Sequence, residues 1–206
     1  MIKTVIFDIG NVLMTFSWWP HIGKIFDPET ADAVTEAIWR RGNWNELDRG
    51  LPVEEVIRLC QKAVPGYDKD IRKAFSEVGH CCHRTDYAIP WIRELKERGY
   101  RVLFLSNYSH FLIEAAPEVL DFLPELDGGV FSSDVKRIKP DPAIYACICE
   151  KYGLNPSECL FIDDNAANIA AAAEFGLNTV HFTGYPEGRQ QVDAILKEQG
   201  DYHGKI

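Results

Sequence analysis

The chain has no apolar run approaching the roughly 20 residues needed to span a bilayer, and it shows no internal repeat, low-complexity tract or long linker. A membrane-spanning helix, a repeat array and a disordered tether are therefore not expected. Positive charge is scarce too: 22 Lys and Arg stand against 31 Asp and Glu, for a net charge of −9. That balance opposes broad attachment to nucleic acid or to an anionic membrane surface. An anionic substrate must then be held by a few local cationic groups. The six cysteines (Cys60, Cys81, Cys82, Cys147, Cys149, Cys159) form neither a regular framework nor a pair of CxxC motifs. Met1-Ile2-Lys3 leads straight into a strand rather than into a signal peptide, so the expectation is a cytoplasmic protein with reduced thiols. His80-Cys81-Cys82-His83 are all metal-ligand types, but four adjacent residues cannot easily close a tetrahedron around one ion; they read as buried thiols beside solvated imidazoles. Nothing fixes the oligomeric state, and a monomer is expected.

What is present is enough chain, at 206 residues and 46% hydrophobic content, to bury a full core of one or two domains. The organising stretch runs from Lys3 to Leu13. Val5, Ile6 and Phe7 read as a short strand buried on both faces, as in the middle of a parallel sheet, with Asp8 at its carboxyl end. In open α/β sheets ligands bind at that edge. An apolar run followed by a lone Asp also fits a turn cap, so the other segments decide.

From about Thr15 to Thr85 no strand is expected. Asp27-Pro28 supplies an N-cap and a first-turn proline for a helix running toward Arg40-Arg41 and stopped by Gly42. Trp44 to Gly50 reads as a short turn of helix closed by glycine. Further helices fit Pro52 to Ala63 and Asp68 to about His80, with Val53, Val56, Ile57 and Cys60 sharing a face of the first and Ile71, Phe75 and Val78 inward on the second. These four helices make a small bundle, an insert able to rock as a lid. Alternation resumes near Asp86: a helix with Ile89, Ile92 and Leu95 inward, the strand Arg101–Leu105, a helix from Ser109 to Ala116, a short strand at Gly129–Ser133, a helix from Asp141 to Tyr152, the strand Cys159–Ile162, a helix from Ala166 to Phe175, the strand Thr179–Phe182 and a closing helix at Val192–Lys197. The expected fold is α/β, with a mainly parallel sheet covered by helices on both faces. Residues 1–14 and 86–206 form its core, and residues 15–85 a helical cap inserted after the first strand.

Polar residues recur at the carboxyl ends of the strands: Asp8, Ser106-Asn107, Lys139 just beyond the third, and Asp163-Asp164. A parallel sheet brings those ends to one place. With Phe7-Asp8-Ile9-Gly10-Asn11-Val12, Leu105-Ser106-Asn107, Lys139-Pro140 and Phe161-Ile162-Asp163-Asp164-Asn165 in order, the sequence resembles the haloacid dehalogenase superfamily over nearly its whole length. The first and fourth motifs are similar to those of the branch containing bacterial glucose-1-phosphate phosphatases.

The resemblance implies a Rossmann-like core, a cap of the family's first type and a Mg²⁺-dependent phosphatase acting on a small phosphorylated metabolite. Asp8 would be the nucleophile that forms an aspartyl-phosphate. Mg²⁺ would be held by Asp8, Asp164 and the Gly10 carbonyl, with Asp163 as a further ligand or a partner behind them. Lys139 would act as a point charge on the phosphate and hold Asp8 ionised. The Ser106 hydroxyl and the Asn107 backbone or amide would hydrogen-bond phosphate oxygens.

Two positions depart from the family pattern. Where most phosphatases of the superfamily carry a second Asp, the general acid and base, this chain has Gly10. General acid–base catalysis contributes about 10² to 10⁴-fold, so three readings stay open. The substrate has a good leaving group, such as a sugar 1-phosphate or acyl phosphate; water or a cap residue such as Glu46 or Asp48 substitutes; or the protein is a catalytically weak phosphometabolite-binding or interaction protein. Asn168 stands where many members have an acid, and Asn168→Asp is expected to tighten Mg²⁺ binding. The enzymatic rival is a 2-haloacid dehalogenase, whose halide leaves without a proton; Asp163-Asp164 argues for a metal and so for phosphate. In the cap, Arg41, Asn43, Trp44 and Asn45 are the expected specificity residues, offering an aromatic face and amides to a polar ring.

Overall fold

The structure, a computed structural model, describes residues 1–200, with side chains to Lys197. Strand β1 (Thr4–Phe7) leads through a turn into the short β2 (Met14–Phe16). Five helices follow: α1 (Trp18–Ile25), α2 (Pro28–Thr35), α3 (Asn43–Asp48), α4 (Val53–Ala63) and α5 (Asp68–Glu77). Glu36–Arg40 continues α2 as a π-helical turn, and Val78–Cys81 continues α5 as a 3-10 turn. Strand β3 (Cys82–Arg84) then returns antiparallel to β2. The rest alternates: α6 (Ala88–Glu97), β4 (Arg101–Ser106), α7 (His110–Ala115), β5 (Gly129–Phe131), α8 (Ser132–Val135), α9 (Pro142–Tyr152), β6 (Cys159–Asp163), α10 (Ala166–Phe175), β7 (Asn178–His181) and α11 (Tyr185–Gly200).

The main sheet is five-stranded and parallel, in the order β5-β4-β1-β6-β7. It is the Rossmann-like α/β architecture expected from the alternation. Its central strand explains the unbroken apolar run: Val5 and Phe7 pack into one hydrophobic cluster and Ile6 into the other, all fully buried, because successive side chains leave opposite faces. Phe7 lies opposite Phe104 and Ile162, so Asp8 falls level with Asp163 at the end of β6, and Ser106 ends β4 one residue further along. That alignment sets Asp8, Ser106 and Asp163 along one edge. Helix starts follow local chemistry: Asp27 accepts from the amides of Glu29 and Thr30 ahead of Pro28, and Asp141 accepts from Ala143 ahead of Pro142.

Three local features differ from the sequence expectation. The span 15–85 does contain strand residues, because β2 and β3 pair at its two ends. This ribbon is tied further by Ser17 N–H to Cys81 O at 2.8 Å, by Thr85 Oγ1 to Leu13 O at 2.7 Å and by Tyr87 Oη to Val12 O at 2.9 Å. Helix α1 forms despite Pro20 and Gly23, since Pro20 falls in the first turn, where its missing N–H is not required. Helix α5 stops at Glu77, and His80 falls in the tighter turn that follows. There His80 Nδ1 meets Glu77 Oε2 at 3.1 Å and His83 Nε2 meets Ser17 Oγ at 2.6 Å, while Cys81 and Cys82 are buried free thiols. Among the described residues no helix is long and apolar enough to cross a membrane.

Candidate active site

Asp8 leaves β1 with its backbone still in the parallel ladder, its N–H donating to Ile162 O at 2.8 Å. The chain then turns tightly, the amides of Leu13 and Met14 both reaching Ile9 O, with Asn11 in the left-handed region at φ 55°. Asparagine tolerates that conformation better than most side chains. It also lets one amide serve two elements: Asn11 Nδ2 donates to Asp164 Oδ2 at 3.0 Å, and its Oδ1 accepts from Phe16 N–H in β2 at 3.0 Å.

Lys139 is the centre of the charge arrangement. Its Nζ lies 2.8 Å from Asp8 Oδ1, 2.6 Å from Asp163 Oδ2 and 3.0 Å from Leu105 O, and its side chain is 1% exposed. An ammonium has three donors, so all three are used within the protein. Asp163 is fully buried and equally committed. Its Oδ1 accepts from Asn165 N–H at 2.8 Å, and Asn168 Nδ2 reaches both of its oxygens at 3.1 Å. Asp8, Asp163 and Asp164 each bring one carboxylate oxygen within 4.8 Å of the others'. Burial raises the Asp8 carboxyl to about 7 against the pull of Lys139, with Asp163 adding to the rise and a hydrogen bond from Ser106 opposing it. Burial also works against the Lys139 ammonium, but Asp8 and Asp163 outweigh it and hold Lys139 above its ordinary value. Asp164 is raised by burial, which the Asn11 bond partly offsets.

Of the residues expected at the site, Asp8, Ser106, Lys139, Asp163 and Asp164 are brought together, with Gly10 in the turn that follows Asp8. The Asn107 side chain is not free for a phosphate: its Oδ1 accepts from Lys139 N–H at 2.8 Å and its Nδ2 donates to Lys139 O at 3.0 Å, clamping the lysine's backbone. Only the Asn107 backbone remains for that task. Three of the four cap residues also have other partners. Trp44 is 7% exposed and stacks on Trp39, centroids 4.5 Å apart, with Phe75 beyond; it is core rather than a substrate-facing ring. Asn43 donates to Ala37 O at 2.7 Å, Arg41 pairs with Glu36 at 2.7 Å and Asn45 is exposed.

The helix that carries Trp44 does reach the strand ends, through Asp48. Ser132 Oγ donates to Asp48 O at 2.7 Å while accepting from Tyr108 N–H at 3.0 Å, and Ser133 Oγ donates to Tyr108 O at 2.8 Å. Gly50, at φ 86°, lets the chain pass so close that a Cβ there would lie 2.8 Å from Ser133 O. The Asp48 side chain is buried at 5% exposure, and no donor reaches its Oδ1. Tyr108, Ser132 and Ser133 carried no distinguishing signal in the sequence, since each acts through a partner distant in the chain; Asn11 stood inside the first motif, but its bonds to Asp164 and Phe16 are visible only in the structure.

A parallel α/β sheet with this constellation at its carboxyl edge defines a hydrolase class, and the comparisons agree. A family model described as haloacid dehalogenase-like hydrolase matches residues 2–176, and the chain belongs to that family. It is 35% identical over 108 residues to an (S)-2-haloacid dehalogenase of Burkholderia cepacia, which covers 52% of this chain and 47% of that protein. The chain thus spans about half the length of that relative and of a second such dehalogenase, while a third aligns over most of both chains. A D-ribitol-5-phosphate phosphatase of Bacteroides thetaiotaomicron is 26% identical over 95% of this chain and 99% of its own. A solved enzyme of the same family from that organism, in complex with magnesium and inorganic phosphate, shares the fold at a TM-score of 0.69 and 23% identity, covering 87% of this chain and 93% of its own.

Proposed function

We propose that the protein is a Mg²⁺-dependent phosphatase acting on a small phosphorylated metabolite, with Asp8 as nucleophile and helices α1–α5 as a cap over the strand ends. The observation that carries this reading is the meeting of three carboxylates with a single ammonium at the edge of the sheet. Hard oxygen donors with an excess of negative charge suit Mg²⁺, so the residues present fit the ion the family uses. Asp8, Asp164 and the Gly10 carbonyl would hold it; Asp163, whose oxygens already accept from Lys139, Asn165 and Asn168, would orient the lysine behind them. When bound, the cation supplies positive charge between the nucleophile and the phosphate oxygens.

The chain's own residues supply the rest. One Asp8 oxygen attacks phosphorus, the bond to the ester oxygen breaks and an aspartyl-phosphate forms; water then attacks phosphorus and releases the Asp8 carboxylate. Lys139 acts on the phosphate as a buried charge rather than through a free N–H, and it favours the ionised form of Asp8. Ser106 orients Asp8. A sugar 1-phosphate, whose anomeric oxygen leaves readily, is the substrate to try first if no other residue takes the place of the acid missing at Gly10.

Dehalogenase relatives favour a second reading, displacement of halide from a 2-halo acid by the same Asp8. One panel separates the two: phosphate release from hexose 1- and 6-phosphates, polyol phosphates, nucleotides and acetyl phosphate, with and without Mg²⁺, beside chloride release from 2-chloropropionate. Phosphate release that requires both Mg²⁺ and Asp8, and is lost in Asp8→Asn, supports the phosphatase. Metal-independent chloride release with no phosphate release overturns it.

A further inference from the structure

We propose that Asp48, reaching in from α3, is the proton donor and acceptor for the ester and water oxygens, taking the role left open by Gly10. The inference rests on the phosphatase reading and sharpens its substrate class to phosphate monoesters of ordinary alcohols, whose alkoxides need a proton to leave.

Three observations converge on Asp48. It is a buried carboxyl whose Oδ1 no protein donor reaches, which is costly in a folded protein unless another molecule supplies the partner. Its helix is fixed to the catalytic edge by Ser132 on its carbonyl and by the close passage of Gly50 over Ser133. The charges of Lys139 and Asp8 act on it across the site, along with that of its neighbour Arg49, and its own charge is felt by the Tyr108 hydroxyl. Burial raises its carboxyl to about 8, with Lys139 opposing, so near neutral pH it carries the proton that a donor needs. At position 10 an added Cβ would meet nothing within 4 Å, so the glycine leaves open space beside Asp8 where the family's usual acid would sit.

The step balances. As Asp8 attacks phosphorus and the bond from phosphorus to the ester oxygen breaks, the Asp48 proton passes to that oxygen and the alcohol leaves neutral. The Asp48 carboxylate then takes a proton from water as the water oxygen attacks the aspartyl-phosphate. The bond from Asp8 to phosphorus breaks, and inorganic phosphate and the starting enzyme are restored.

The test compares kcat/KM of the wild type, Asp48→Asn and Asp48→Ala on p-nitrophenyl phosphate, phenyl phosphate and glycerol 2-phosphate with Mg²⁺ present, after melting curves establish that each variant is folded. Both variants are expected to lose about 10²-fold on glycerol 2-phosphate and under about threefold on p-nitrophenyl phosphate, whose leaving group needs no proton. With p-nitrophenyl phosphate, Asp48→Asn should accumulate phosphorylated Asp8, read by intact mass. Gly10→Asp in the Asp48→Asn background should restore activity on the alkyl ester. An equal loss on all three esters, or no loss on any, overturns the role of Asp48 while leaving the phosphatase reading intact. A wild type that hydrolyses none of them overturns both.

Discussion

Asn168 donates its amide nitrogen to both carboxylate oxygens of Asp163, at 3.1 Å each. From the sequence, an acid at position 168 was expected to improve Mg²⁺ binding; the geometry reverses that expectation. Asn168→Asp replaces a donor by an acceptor against a fully buried carboxylate that already holds Lys139. The variant should melt several degrees lower near pH 7, a loss of about 1–3 kcal/mol, and bind Mg²⁺ more weakly by calorimetry. Tighter binding with unchanged melting would show that Asp163 does not depend on this amide.

Removing the ammonium should cost more. Lys139→Met leaves Asp8 and Asp163 buried together without their shared counter-charge, and breaking a buried ion pair from one side typically costs about 3–5 kcal/mol. Activity should fall to background and the urea midpoint should drop sharply. A variant that unfolds like the wild type would mean that water or another cation reaches the pair.

Asp48 gives stability a pH dependence whose sign can be stated. Its carboxyl lies near 8 in the folded chain, against about 3.9 when unfolded, so the folded state holds the proton to higher pH. The stability it contributes is complete below about pH 4 and is lost as pH rises through about 8. Asparagine has no proton to lose. Asp48→Asn should therefore melt progressively higher than the wild type as pH rises from about 5 to about 8, by on the order of 4 kcal/mol at the upper end. A constant difference across that range would place the Asp48 carboxyl in ordinary solvent contact.

At Gly50, alanine would bring strain and a clash together: the backbone sits at φ 86° and a Cβ would press on Ser133 O. Gly50→Ala should cost about 2 kcal/mol and lower kcat by shifting α3, while Mg²⁺ binding stays unchanged. Full activity in a stable variant would show that the docking of α3 does not matter for turnover.

Asn11→Ala cuts the bond to Asp164 and the bond to Phe16 at once. Losing a partner that orients a metal ligand typically costs about 10–100-fold in affinity. A titration showing less than about a twofold change in Mg²⁺ affinity would remove Asp164 or its orientation from the metal site.

The sequence makes the sheet legible because strands buried on both faces carry no alternation to obscure, and Val5-Ile6-Phe7 and Leu160-Phe161-Ile162 each run into an Asp at the same level of the sheet. The meeting of Asp8, Lys139, Asp163 and Asp164 follows from that order. The ribbon is not legible: Met14–Phe16 and Cys82–Arg84 are three residues each, and only their pairing makes them strands. Nor are the side-chain assignments of the insert. Trp44 and Asp48 lie four apart on one helix and share a side, yet one stacks in the aromatic core and the other faces the charged edge. Asn107 is misread for a related reason, since an amide beside a strand end suits a ligand and a backbone carbonyl equally well.

The amide of Asn11 joins an acidic side chain at the sheet's edge to the first strand of the ribbon that carries the helical insert. One planar group thus works as a rigid coupling: what fixes Asp164 also fixes the root of the insert, and a load on either end is felt at the other. By reciprocity, any ligand that draws Asp164 in must bias where the insert stands, and any contact the insert makes must feed back on that ligand's affinity by the same factor.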